Sequence, residues 1–107
     1  MILGRVRGHV VSTTKSSGLS GFKMLLVAPI NIDTFEEQGA PVLTVDTVGA
    51  GEGEVVMVVS GSSARLTQET EKKPVDSAIV AIIDSVDLRG KKIFEKFPQD
   101  TEESRGK

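Results

Sequence analysis

The chain has 107 residues, a formal net charge of −2 and a sequence pI near 5.4, so it is most simply one domain without a basic field that attracts nucleic acid. It contains no Cys, Trp or Tyr, which excludes disulfides and thiolate metal sites and leaves few aromatic platforms for stacking bases. There is no apolar run of the roughly 20 residues that a membrane-spanning helix needs and no signal-peptide core. We therefore expect a soluble cytoplasmic protein.

In the first predicted strand, residues 2–11, apolar or glycine positions alternate with mostly basic ones, which is typical of a half-buried strand. One face carries Ile2, Gly4, Val6, Gly8 and Val10, and the other carries Arg5, Arg7 and His9. Glycines inside a strand are typical of a bulge or of a sharp bend at a barrel corner. We expect one of these in this strand.

The remaining chain alternates between apolar stretches and turns. Further strands are predicted at residues 22–30, 42–48, 55–59 and 79–86. Pro29 should end the second strand or place it at a sheet edge. Residues 66–74 are predicted as a charged loop with one helical turn near 64–67, residues 92–97 as a short strand or helix, and residues 98–107 as a disordered tail. Short strands at this spacing favour a small all-β barrel or sandwich.

The second, fourth and fifth predicted strands are apolar on both faces. A single small barrel has only one interior, so the outward face of each strand should be polar. Leaving a second apolar face in water is unfavourable by about 25 cal/mol per Å². We infer that a neighbouring subunit covers these faces and that the chain is an obligate oligomer.

The polar residues do not compose an active site. The spacing Gly-x-Gly-x-Gly at residues 49–53 is followed by a strand, whereas a phosphate-binding glycine motif opens a helix. His9 is the one histidine and is expected at the surface. A hard cation is conceivable at Asp33, Glu36 and Glu37, but the calcium-loop spacing is missing and a solvated acidic turn is favoured. We expect no catalytic residue, no cofactor and no metal site, and therefore no enzyme.

The central segment, Gly49–Arg65, combines a glycine-rich turn, an apolar strand and a second turn of small residues. Such turns allow another chain segment to approach closely. Arg65 either pairs with a carboxylate of its own chain or crosses to the adjacent subunit, where Glu52 and Glu54 are candidate partners. We favour the contact between subunits.

This segment resembles a known family. Residues 48–54 and 60–65 match, residue for residue, the characteristic motif of the EutN/CcmL family of pentameric vertex proteins of bacterial microcompartment shells. The Pro-Val-Asp at residues 74–76 and the strand at 79–84 resemble a second motif of that family. The resemblance extends from Met1 to about Phe97.

The resemblance implies a five-stranded OB-like barrel at residues 1–97, assembled as a cyclic homopentamer, with residues 98–107 as a tail. The pentamer would lie in a cytoplasmic microcompartment shell and contact hexameric shell proteins, with no nucleic acid or membrane as partner. The glycine-rich turn would lie near the pentamer axis. The residues expected at the subunit interface or axis are Gly49, Ala50, Gly51, Glu52, Gly53, Glu54, Ser62, Ser63 and Arg65.

A second hypothesis comes from the barrel alone. OB-type barrels often bind single-stranded nucleic acid through a basic groove and stacked aromatic side chains. An OB-type oligonucleotide-binding module is therefore the alternative function. The acidic balance and the 4% aromatic content disfavour it.

Overall fold

The computed structural model of the chain describes residues 1–13, 21–61 and 76–97. These residues form β1 (Ile2–Val10), β2 (Lys23–Pro29), β3 (Val42–Asp46), β4 (Val55–Ser60), β5 (Ser77–Ile82), β6 (Ser85–Leu88) and β7 (Lys91–Glu95). Five strands close into a barrel in the order β1-β2-β3-β5-β4, and β6 and β7 pair as a separate sheet. The predicted five-stranded barrel is confirmed. The helical turn predicted near residues 64–67 lies outside the described residues.

In the barrel, β3 and β5 are parallel, while the other neighbouring strands are antiparallel. Aliphatic side chains of modest size fill the interior. They are Val6, Leu25, Val27, Ala50, Val56, Val58 and Ile79, with Ile82 packed against them. In the described part of the chain, no helix is long and apolar enough to cross a membrane.

A close approach between β1 and β2 explains the glycine at position 4. A Cβ atom placed on Gly4 would lie 2.3 Å from Cγ1 of Val27 and 2.9 Å from the carbonyl oxygen of Ala28. Gly4 is buried and pairs with Pro29 across the two strands. The site therefore has no room for a side chain.

Of the bulge or sharp bend predicted in β1, the structure shows a bulge, at Arg7. Val6 pairs with Val27 but Gly8 pairs with Leu26, so Arg7 is the extra residue. One extra residue reverses the alternation of faces, and the prediction that Gly8 and Val10 share the face of Val6 is therefore wrong. His9 lies exposed at the surface, as predicted.

The end of the barrel differs from the sequence prediction. The strand predicted at residues 79–86 is two strands, because β5 ends at Ile82 and β6 begins at Ser85. Between them the Ile83 amide donates to the Val55 carbonyl, and the Asp84 carbonyl accepts from the Lys96 amide. The backbone partner of the chain thus changes from β4 to the hairpin between Ile83 and Asp84. The segment 92–97, for which strand and helix were both open, contributes to β7.

Two-residue turn geometry closes this hairpin. Arg89 and Gly90 have φ values of 54° and 78°, and Leu88 pairs directly with Lys91. Positive φ at both central residues is the geometry that suits the twist of a tight hairpin. The β6–β7 hairpin is thus a regular element that stands beside the barrel.

A second apolar cluster lies on the outer face of the barrel. Val45, Val59 and Ala78 are buried there, with Phe22, Met24 and Val80 against them. The chain itself therefore buries part of the outward apolar faces of its strands. A neighbouring subunit has less apolar surface to cover than the sequence predicts. Among the described residues, the large apolar side chains that stay exposed are Met1, Ile2, Val10, Val11, Ile32, Leu43, Val48 and Phe97.

Gly4→Ala should lower the free energy of unfolding by about 1–3 kcal/mol, because the new methyl group overpacks the β1–β2 contact. Gly8→Ala is the matched control, since its Cβ would lie 3.6 Å from the nearest atom of Leu26, an ordinary contact. Urea denaturation at one protein concentration measures both variants. Equal stability of the two would contradict the close approach.

Candidate functional site at the glycine loop

The glycine loop, residues 49–54, connects β3 to β4 and carries most of the described candidate residues. Gly49, Gly51, Glu52 and Gly53 are exposed, whereas Ala50 is only 1% exposed. Gly49 and Gly53 have φ values of 82° and 89°, a region in which L residues with a side chain are strained. Two of the three glycines are therefore required by the backbone. The third, Gly51, lies at the exposed tip.

A buried carboxylate fixes the start of the loop. The Asp46 side chain is 2% exposed. Its Oδ1 accepts from the amides of Val48 and Gly49 at 3.1 Å each, and its Oδ2 accepts from the Ala50 amide at 2.9 Å. Charge-assisted bonds to three successive backbone donors compensate the burial of this carboxylate. Asp46 thereby sets the direction in which the chain leaves β3.

Lys23 holds the same segment from the other side. Its Nζ donates to the Ala50 carbonyl at 3.2 Å and lies 3.7 Å from Oδ2 of Asp46. Ala50 thus donates to a carboxylate and accepts from an ammonium group, while its methyl group packs in the barrel core. The loop is anchored to the barrel by both charge and packing.

The end of the loop is held by Glu54. Its Oε1 accepts from the Gly51 amide at 2.7 Å, and its Oε2 pairs with Nζ of Lys96, which follows β7. The hydrogen bond from Lys96 and, second, the one from Gly51 hold the pKa of Glu54 below its ordinary value of 4.5. The carboxylate therefore bridges the tip of the loop and the hairpin.

Two further bonds tie the loop to β1. The Gly53 amide donates to the Val6 carbonyl at 2.8 Å. Arg5 donates from Nη1 to the Gly53 carbonyl at 3.0 Å. Together with the bond from Gly51 to Glu54, they hold the tip and the C-terminal end of the loop.

The acidic turn after β2 pairs with arginines. Glu37 accepts from Nε of Arg7 at 2.9 Å and lies 3.5 Å from Nε of Arg5, while Asp33 lies 3.3 Å from Nη2 of Arg89. The hydrogen bond from Arg7 holds the pKa of Glu37 below its ordinary value. No three metal-ligating side chains come together among the described residues. Asp33, Glu36 and Glu37 are exposed, as predicted for a solvated acidic turn, and two of them also form ion pairs.

The structure brings Gly49–Glu54 together in one loop. Ser62, Ser63 and Arg65 lie outside the described residues, so their proximity to the loop stays a prediction. Sequence analysis missed Asp46 and Lys23. A signal for Asp46 was present, because an Asp three residues before a Gly is typical of a turn in which the carboxylate accepts from nearby amides.

Asp46→Asn should lower the free energy of unfolding by about 1–3 kcal/mol, since the amide group cannot accept all three backbone bonds. Amide exchange at Val48–Ala50 should also accelerate. Asp87→Asn is the control, because the exposed Asp87 pairs with Lys92 within the hairpin and should change stability by under about 0.5 kcal/mol. Denaturation curves of equal midpoint for both variants would refute the anchoring role.

The free energy of unfolding should decrease at acid pH. The pKa values of Glu37 and Glu54 are lowered in the folded chain, so the unfolded state binds more protons as the pH drops through this range. Their contribution is complete above the ordinary value of 4.5 and is lost as the pH falls through the folded pKa. Unfolding measured from pH 6 downward, at about unit steps, should show this slope, and Glu54→Gln should reduce it. An unchanged slope in that variant would contradict the assignment.

The sequence matches one protein family and several curated relatives. The family described as "Ethanolamine utilisation protein EutN/carboxysome" matches residues 1–84, which include the whole glycine loop. The chain is 46% identical over 87 residues to the bacterial microcompartment shell vertex protein GrpN of Rhodospirillum rubrum, covering 81% of this chain and 97% of that protein. It is 40% identical over 96 residues to the shell vertex protein EutN of Salmonella typhimurium, covering 90% and 96%.

Solved structures agree with these relatives. CcmL of Gloeobacter violaceus superposes with a TM-score of 0.86 at 37% identity, covering 92% of this chain and all of that chain. The structure described as the GrpN pentameric microcompartment shell protein of Rhodospirillum rubrum gives a TM-score of 0.74 at 46% identity, covering 82% and 99%. The motif at the glycine loop, the barrel and the matched length agree, and the chain belongs to the EutN/CcmL family.

Proposed function

We propose that this chain is a shell vertex protein that forms a cyclic homopentamer and closes the corners of a bacterial microcompartment. The observation that carries the proposal is the similarity to a relative named as a shell vertex protein, 97% of whose length this chain covers. The solved structure of that relative is described as pentameric. The proposed location of this chain is accordingly the shell.

Exposed apolar surface supports a ring of subunits. A groove of about 340 Å³ is lined by Met1, Ile2, Leu3, Ile30, Ile32 and Met57. On another side of the barrel, Leu43 is 52% exposed opposite Leu26. A cyclic ring of more than two subunits uses two different surfaces of each chain. Two separate apolar surfaces on different strand pairs fit this requirement.

The glycine loop is the proposed contact near the five-fold axis. Its tip has no side chain at Gly51 or Gly53, so five copies can converge closely there. The loop residues Gly49–Glu54 form this contact in the proposal, together with Ser62, Ser63 and Arg65. The anchoring by Asp46 and Lys23 supports it, because five identical loops meet in register only if each has one shape.

The proposed role is geometric and requires no catalytic group. Hexameric shell proteins are the proposed partners, since hexamers tile a flat layer and a five-fold unit introduces curvature at a corner. In this proposal, the outer rim of the pentamer binds these hexamers.

Native mass spectrometry should find a pentamer. Five copies of the 11.4 kDa chain give about 57 kDa. Leu43→Asp should dissociate the ring at micromolar concentration, because it places a charge in an apolar contact. Val11→Asp is the control at an exposed apolar position outside both surfaces. A wild-type monomer or dimer would overturn the pentamer, and an intact Leu43→Asp ring would remove the β3 face from the interface.

Co-expression with the cognate hexameric shell proteins tests the vertex role. With this chain present, electron microscopy should show closed polyhedral shells. Without it, the hexameric layers should still form but remain open or elongated at the corners, since flat lateral contacts do not need a five-fold unit. Shells that close and exclude a large reporter equally well in its absence would rule out the vertex function.

A further inference from the structure

The β6–β7 hairpin stands outside the barrel that it follows. The barrel closes through β1 to β5, and the hairpin strands pair only with each other within the described residues. The family match ends at residue 84, immediately before β6 begins at Ser85. Barrel closure does not require the hairpin and the family model does not include it, although the alignment with CcmL of Gloeobacter violaceus covers 92% of the chain. The contacts of the hairpin indicate what it does.

One link runs through Phe94. Its ring stacks on Phe35 with centroids 5.2 Å apart and planes at 18°. The guanidinium carbon of Arg5 lies 5.8 Å from the centre of the Phe94 ring, within the range of a cation–π contact. Arg5 also donates to the Gly53 carbonyl at 3.0 Å. Phe94 therefore orients the arginine that holds the end of the glycine loop.

A second link runs through Lys96. Its ammonium group pairs with Oε2 of Glu54, while Oε1 of the same carboxylate accepts from the Gly51 amide at 2.7 Å. The two side chains of the ion pair are 26% and 25% exposed, so solvent screens the pair less than it screens one at the open surface. Lys96 thereby restrains the carboxylate that holds the loop tip.

Between the loop and the hairpin lies an open cleft of about 370 Å³, lined by Glu52, Gly53, Glu54, Phe94 and Lys96 among others. Apolar packing does not fill this space. The polar and cation–π links across the cleft are therefore the contacts through which the hairpin acts on the loop.

We propose that the hairpin braces the glycine loop, with Phe94 and Lys96 as positioning residues that act through Arg5 and Glu54. The brace sets the shape and the mobility of the loop within one chain. Its consequence for the ring rests on the proposed function: the hairpin fixes the loop that five subunits bring together.

Amide hydrogen exchange tests the brace. Lys96→Met should speed exchange of the Gly51 amide about three- to fivefold, the size expected for the loss of one partly shielded ion pair, without changing the Val27 amide in the barrel core. Lys96→Arg should restore the wild-type rate, because its guanidinium keeps the donor. Lys92→Met is the matched control, since Lys92 lies on the same hairpin and pairs with Asp87.

Two more variants separate the links. Phe94→Leu should speed exchange of the Gly53 amide. Lys96→Met combined with Glu54→Gln should exchange at Gly51 no faster than Glu54→Gln alone, because both remove the same link. Equal rates at Gly51 in Lys96→Met and Lys92→Met would overturn the brace, as would a failure of Lys96→Arg to restore the rate.

The brace and the proposed function fail in different measurements. The expected exchange pattern in a chain that is monomeric by native mass spectrometry would support the brace and reject the vertex role. A pentamer with unaltered exchange in Lys96→Met would reject the brace and leave the vertex role in place.

Discussion

The buried carboxylate of Asp46 is the interaction on which the shape of the glycine loop depends. It accepts three successive backbone amides at 2.9–3.1 Å, and it ends β3 two residues before the apolar pattern ends at Val48. A buried carboxylate is tolerated only when donors surround it. The loop supplies these donors, and Lys23 supplies a nearby positive charge.

The barrel is complete within one chain, which determines what is left for other subunits. At Gly4, β1 and β2 approach each other too closely to leave room for a side chain. An outer cluster around Ala78 buries further strand surface. Among the described residues, the exposed apolar side chains include those of the groove near Ile2 and Leu43 on β3. Oligomerisation therefore rests on specific patches rather than on whole strand faces.

A geometric function makes rigidity part of the mechanism. An enzyme needs reactive groups, whereas a vertex needs a fixed angle between identical subunits. The ion pairs of Glu54 with Lys96 and of Glu37 with Arg7 join segments distant in sequence. In the proposed role they hold the loop and the outer turn in one arrangement. Such pairs contribute little individually at an exposed surface, but several act on the same small region here.

The sequence by itself determined the approximate positions of the barrel strands, the turns between them and the family, because apolar β-branched runs, the alternation in β1 and glycine positions are local properties. Only the tertiary structure decided which groups meet. The extra residue at Arg7 reverses the later faces of β1. The strand predicted at residues 79–86 divides because the chain changes partner, from Val55 of β4 at Ile83 to Lys96 at Asp84. Glu54 and Lys96 are 42 positions apart, and no local pattern specifies a partner at that distance. These contacts arise when the closed barrel brings remote segments together.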